Sequence, residues 1–286
     1  MALYCAGRGK PLFIMPYPHA NAVVGERGFD VFAEGFVRLK RRVITFDPPG
    51  SGRSLGPVEL TMQEMIRCSD ELLEAFGVVG PVDVFGHCMA AWTAIVWALA
   101  RPERVGRLLL ANPGAGTRGF RSAEGAMWRR DHDDFWPLAL RAGVYTLTRR
   151  RAAEKWMLNA IGRASYFDRG LFQAETITLR DCFAPARPRT WWGPKQTKRN
   201  LDHVHLLPKL MAPTLILASR HDAQQPLAIA QEIAALVPES ELVIFEKSGH
   251  FPFWEEPEAF WSALERRLRQ SPHTNHVTER VAQPVS

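Results

Sequence analysis

The chain has 286 residues, 46% hydrophobic and 23% charged, with a formal net charge of +6. These values fit a folded globular protein of one large domain, or a domain carrying an insertion, and exclude a coiled coil, a low-complexity tract and a disordered chain. Cys5, Cys68, Cys88 and Cys182 lie far apart with no CxxC pair, so no zinc site, disulfide framework or other cofactor is expected.

Taken in chain order, Met1 to Arg8 lacks the basic start and long apolar run of a secretory signal. Apolar, often β-branched runs follow at Leu12–Met15, Val43–Phe46, Val82–Phe85, Leu108–Ala111, Thr214–Ala218 and Leu242–Phe245, and read as buried parallel strands. Helical patterns lie between several of them. Thr61 to Phe76 opens with a capping box of Thr61 and Glu64, Ala91 to Ala100 is stopped by Arg101-Pro102, and Pro226 to Leu236 begins on a proline. Strand and helix in alternation predict a mostly parallel, doubly wound α/β sheet. The apolar stretch Phe85 to Ala100 contains His87 and is shorter than the ~20 residues that cross a bilayer. A cytoplasmic protein with no membrane partner is the expectation.

The alternation breaks between Asn112 and Lys209, where five of the nine tryptophans fall. We read residues 114–209 as an inserted helical lid over the carboxyl edge of a core formed by 1–113 and 210–270. The polar residues 271–286 show no periodicity and are expected to be a disordered tail. The basic excess sits in the insertion: Gly114 to Met211 holds 18 Lys and Arg against 9 Asp and Glu, the rest of the chain 18 against 21. The charges are scattered and no nucleic-acid-binding motif is present, so an anionic ligand or acidic partner protein fits better than nucleic acid.

Gly86-His-Cys-Met-Ala90 joins a predicted strand to an apolar helix. A nucleophile elbow needs small residues on both sides of a strained turn, and Gly86 and Ala90 supply them. The helix dipole and the Met89 N–H would stabilise a thiolate at Cys88 and then an oxyanion. Taken alone, Cys88 reads equally well as a small buried hydrophobe. Two further strand ends change that balance: Ser219-Arg-His-Asp222 and Ser248-Gly-His-Phe251. Converging strand ends would let His250 deprotonate Cys88 while Asp222 fixes the imidazole. His87 and His221 are expected to be structural. His203 and His205 lack a third ligand, so no metal is expected there.

The set Asp47-Pro-Pro-Gly-Ser-Gly-Arg-Ser54, Gly86-His-Cys-Met-Ala90, Ser219-Arg-His-Asp222 and Gly249-His-Phe-Pro-Phe-Trp-Glu-Glu-Pro257 resembles the α/β-hydrolase superfamily over residues 10 to 270. The resemblance implies an α/β-hydrolase fold and carries two departures. Most members have serine at the elbow, and epoxide hydrolases and haloalkane dehalogenases have aspartate, which excludes those two activities. The family's His-Gly oxyanion turn is replaced by Pro16-Tyr-Pro-His-Ala20; proline has no N–H, leaving the His19 backbone as a donor beside Met89, with Tyr17 as the alternative. Some relatives carry the catalytic acid one strand earlier, where Asn112 stands here, so Asn112 is the alternative to Asp222.

A cysteine nucleophile forms a thioester, so acylation from a thioester is nearly thermoneutral and peptidase activity is disfavoured. With the basic lid, this makes the chain similar to the Dieckmann cyclases that release carrier-bound polyketide–peptide chains as tetramates or pyridones. That resemblance implies an acyl thioester substrate on an acyl or peptidyl carrier protein. The alternatives are a hydrolase of small esters, lactones or thioesters, a non-catalytic binding protein of the same fold, and a cofactor-free oxygenase, whose cysteine would be open to oxidation.

Overall fold

The computed structural model describes residues 1–17, 27–49, 53–55, 62–116, 122–148, 150–172, 202–270 and 278–281. One eight-stranded sheet organises them in the order β1-β3-β2-β4-β5-β6-β7-β8. The strands are β1 Leu3–Ala6, β2 Lys10–Ile14, β3 Arg41–Phe46, β4 Val82–His87, β5 Val105–Ala111, β6 Thr214–Ser219, β7 Ser240–Phe245 and β8 Thr278–Val281. Only β1 runs antiparallel, against β3. The order reverses between β2 and β4, so the carboxyl ends of these two strands flank the crevice that α/β sheets leave open at such a point.

The pleat sends alternate side chains to opposite faces. Phe13, Val84, Leu108, Leu110, Ile216 and Ile244 pack against one set of helices. These are α2 (Met62–Ala75), α3 (Met89–Ala100) and α6 (Leu227–Leu236). Leu12, Ile14, Phe85, Leu109, Leu215 and Phe245 face the other way, toward α1 (Arg27–Arg38), α7 (Pro252–Glu255) and α8 (Pro257–Arg269). Helix α3 is apolar on nearly every side because it lies in the core, with Trp92 and Trp97 almost wholly buried.

At the amino end of the sheet, Asp83 pairs with Arg41 at 3.0 Å and with Arg107 at 2.9 Å. Their remaining donors go to backbone carbonyls at the end of α8: Arg41 to Leu268, Arg107 to Arg267 and Gln270. The two guanidiniums thus neutralise one carboxylate and satisfy the carbonyls of a helix C-terminus.

Between β5 and β6 the chain forms the helical pair α4 (Phe135–Thr148) and α5 (Arg151–Ala164). Met127, Leu138 and Ala164 pack with Ala223 beyond β6, which seats this insertion on the sheet's carboxyl edge. Of its five tryptophans, Trp136 and Trp156 are exposed; Trp191 and Trp192 lie outside the described residues, as do Thr61 and His19. The tail departs from expectation. Thr278–Val281 pairs in parallel with β7, because a strand returning after α8 can satisfy the ladder that β7 would otherwise leave open. Among the described residues no helix is long and apolar enough to cross a membrane.

Candidate active site

Cys88 lies between β4 and α3 with φ 53° and ψ −117°, a backbone conformation that costs a residue with a Cβ about 1–3 kcal/mol. The turn is tight because Gly86 lacks a side chain: a Cβ there would stand 2.7 Å from the backbone of Ala91. The Cys88 N–H donates to the Ala111 carbonyl at 2.9 Å, tying the turn to the end of β5. Met89 follows as the first residue of α3, so its N–H belongs to the helix-start donors that have no acceptor within the helix.

His250, in the turn after β7, points its Nδ1 at Asp222 Oδ2, 2.7 Å away. Asp222, after β6, is held in turn: its Oδ1 accepts the backbone N–H groups of Gln224 and Gln225 at 2.7 and 2.9 Å. Cys88, His250 and Asp222 are 8%, 3% and 3% exposed, so the three are nearly dry. Burial resists charge on the imidazole, but the Asp222 carboxylate, the Cys88 sulfur and hydrogen bonds to both outweigh it and raise the His250 pKa to about 10. The fold therefore brings together the three residues expected from the sequence, in an arrangement that favours the charged form of the His250 ring.

The neighbours have separate tasks. His87 Nε2 bonds the His250 carbonyl at 2.9 Å and its Nδ1 meets the Tyr17 hydroxyl at 2.5 Å. A carbonyl only accepts, so the neutral ring carries its proton on Nε2 and Tyr17 spends its one proton on Nδ1. Tyr17 is thus not available as an oxyanion donor in this arrangement. Asn112, at φ 42°, donates to the Gly249 carbonyl at 3.2 Å and contacts Ser219 Oγ. It braces the backbone before His250 while Asp222 alone of the two holds the ring.

His221 stacks on Phe167, and His203 Nδ1 accepts from Trp92 Nε1 at 3.0 Å. Among the described residues no group of three side chains is placed to hold a metal. A cavity of about 440 Å³ opens beside α6, lined in part by Ala115, Ser122, Asp202 and Glu232, but none of the three central residues lines it.

Sequence reasoning missed the supports that come from far along the chain. The Ser165 carbonyl, just after α5, accepts the His250 N–H at 2.6 Å, and Ser165 Oγ accepts from Gln224 at 2.8 Å. Glu255 spans from the insertion to the histidine turn: Oε1 accepts the N–H groups of Phe167 and Asp168, Oε2 that of Gly249. The signal available for Glu255 was its place in the Gly-His-Phe-Pro-Phe-Trp-Glu-Glu-Pro run; for Ser165 there was none. The Asp47 stretch is structural in its described part, since Asp47 accepts from Tyr4 and from the Arg53 N–H and so joins β3 to β1.

With this fold and this arrangement of side chains, the chain belongs to the alpha/beta hydrolase family, whose pattern matches residues 24–263. Among curated proteins it is 27% identical over 267 residues to a 2-hydroxy-6-oxononadienedioate/2-hydroxy-6-oxononatrienedioate hydrolase of Cupriavidus pinatubonensis, covering 89% of this chain and 85% of that one. The enzyme of the same description from Paraburkholderia xenovorans is 27% identical over 266 residues, with 89% and 86% covered. A solved alpha/beta fold family hydrolase from Bacillus anthracis superposes with a TM-score of 0.76 at 19% identity, over 92% of this chain and 94% of that one. A meta-cleavage product hydrolase from Pseudomonas fluorescens gives 0.71 at 18%, over 93% of each. At such identities the solved structures bear on the fold alone.

Proposed function

We propose that this protein is a cysteine hydrolase of an anionic carbonyl compound, with Cys88 as nucleophile, His250 as its acid–base partner and Asp222 orienting the imidazole. One observation carries the reading: a cysteine on a strained elbow at a helix start, beside a buried histidine whose Nδ1 lies 2.7 Å from a carboxylate. Cys88 Sγ attacks the carbonyl carbon as a thiolate, and the oxyanion is met by the Met89 N–H. The tetrahedral species collapses, the leaving group takes the proton held by His250, and a thioester remains on Cys88. Water then gives a proton to His250 and attacks the thioester, releasing the acid and returning the thiol. His19 is the proposed second oxyanion donor.

Two facts support an anionic substrate. The curated relatives named above act, by their names, on oxo-dicarboxylates, and the basic excess of this chain falls in the sequence between Gly114 and Met211. The hydrolase reading therefore replaces carrier-bound ring closure as the first choice, since none of the relatives named above is a cyclase. Ring closure stays as the second reading for one reason: a thioester on Cys88 loses less to water than its reactivity toward carbon nucleophiles suggests, so transfer from a carrier-bound acyl chain competes.

The test is turnover of a panel containing 2-hydroxy-6-oxo-dienedioates, simple acyl thioesters and a β-ketoacyl-aminoacyl thioester, by wild type, Cys88→Ser and Cys88→Ala. Free acid formed by wild type and lost with Cys88→Ala supports the hydrolase. A ring product supports the second reading, and unchanged turnover with Cys88→Ala removes both.

A further inference from the structure

A catalytic imidazole must be held within about 1 Å. Besides Asn112 and His87 of the core, which bond the Gly249 and His250 carbonyls, the insertion holds the backbone of the histidine turn from outside. The His250 N–H donates to the Ser165 carbonyl at 2.6 Å, and the residue before it, Gly249, lies so close that an added Cβ would stand 2.2 Å from the same oxygen. The Asp222 turn is tied to the same element: the Met127 N–H donates to the Ala223 carbonyl at 2.8 Å, and Gln224 donates to Ser165 Oγ. Glu255 completes the connection with three charge-assisted bonds, two to the insertion and one to Gly249.

We propose that Glu255 and Ser165 are positioning residues that make the geometry of the His250–Asp222 pair depend on seating of the helical insertion. The inference rests on His250 as the base of Cys88 and adds a device that acts through it. Glu255 suits the role because both its oxygens are committed to opposite sides of the joint. An amide there offers one acceptor and turns an NH2 toward an N–H donor, so it can satisfy the insertion or the histidine turn but not both. Glu256 is a comparator: its Oε2 takes both the Lys247 N–H and the Ser248 hydroxyl, within the turn itself. An amide at 256 keeps that one working oxygen while removing the same charge one residue away.

The test reads the ionisation of the pair rather than turnover alone. The groups facing His250 are Asp222, Cys88 and the His87 ring, whose centroid is 4.6 Å away; Glu256 faces Glu255. Iodoacetamide alkylation of Cys88 is followed against pH by peptide mass mapping, because Cys5 is exposed and reacts as well. Glu255→Gln is expected to move the Cys88 alkylation profile to higher pH, to slow alkylation at pH 7 about tenfold, and to lower kcat by a similar factor with KM changed less than twofold. Glu256→Gln is expected to stay within twofold of wild type in all three.

A folded Glu255→Gln enzyme with an unchanged alkylation profile would overturn the proposal. If that variant does not fold, Ser165→Ala, which cuts the Gln224 link, is expected to shift the profile in the same direction, and no shift overturns the proposal equally. Alkylation needs no substrate, so the outcome is independent of whether Cys88→Ala abolishes turnover, which alone judges the proposed reaction.

Discussion

At Cys88 a backbone strain, a helix start and a charged neighbour act on one sulfur. The sulfur helps raise the His250 pKa to about 10, and Asp222 contributes more. A raised folded-state pKa means that the native protein holds the proton more tightly than the unfolded chain, whose imidazole titrates near 6.5. The pair's contribution to stability is therefore complete below about pH 6.5 and is lost as pH rises through about 10. Comparing wild type with Asp222→Asn by urea unfolding, the stability difference is expected to shrink steadily across that window; a difference independent of pH would contradict the assignment. In activity, Asp222→Asn is expected to lower kcat by roughly 10²–10⁴-fold, the scale for a triad whose imidazole loses its orienting carboxylate. Asn112→Ala should cost much less, since Asn112 bonds the Gly249 carbonyl and not the ring.

At the scale of elements, the site depends on two glycines at which the chain passes too close for a side chain. Gly86→Ala drives a methyl into the backbone of α3, and Gly249→Ala drives one into the Ser165 carbonyl. Each is expected to lower stability by roughly 1–3 kcal/mol and kcat with it, measured by thermal unfolding and turnover on the same sample. The opposite end of the sheet provides the contrast. Asp83→Ala leaves Arg41 and Arg107 buried without their carboxylate, a loss of roughly 3–5 kcal/mol. Yet kcat per folded molecule should hold, because that cluster lies at the amino ends of the strands and the candidate site at their carboxyl ends.

Over the whole molecule, what the sequence revealed was what is local in the chain. Six strands were visible as apolar runs because strands covered on both faces need no polar alternation; β1 and β8 are edge strands of four residues, too short and too polar to carry that pattern. Cys88, Asp222 and His250 were legible because each lies in the turn that follows a strand, with small residues marking the turn. Asp222 already stands ahead of Asn112 in the sequence, and the path of β6 carries its carboxylate to the imidazole. Ser165 and Glu255 act through backbone groups of residues some 85 positions apart, contacts that no periodicity records.

The central claim is covalent chemistry at Cys88, and intact mass after rapid mixing with an acyl thioester tests it most directly. Wild type is expected to gain the mass of the acyl group, localised to the peptide carrying Cys88 and decaying as free acid appears, and Cys88→Ala to gain nothing. Full turnover with no adduct at Cys88, or equal turnover in Cys88→Ala, would contradict the account.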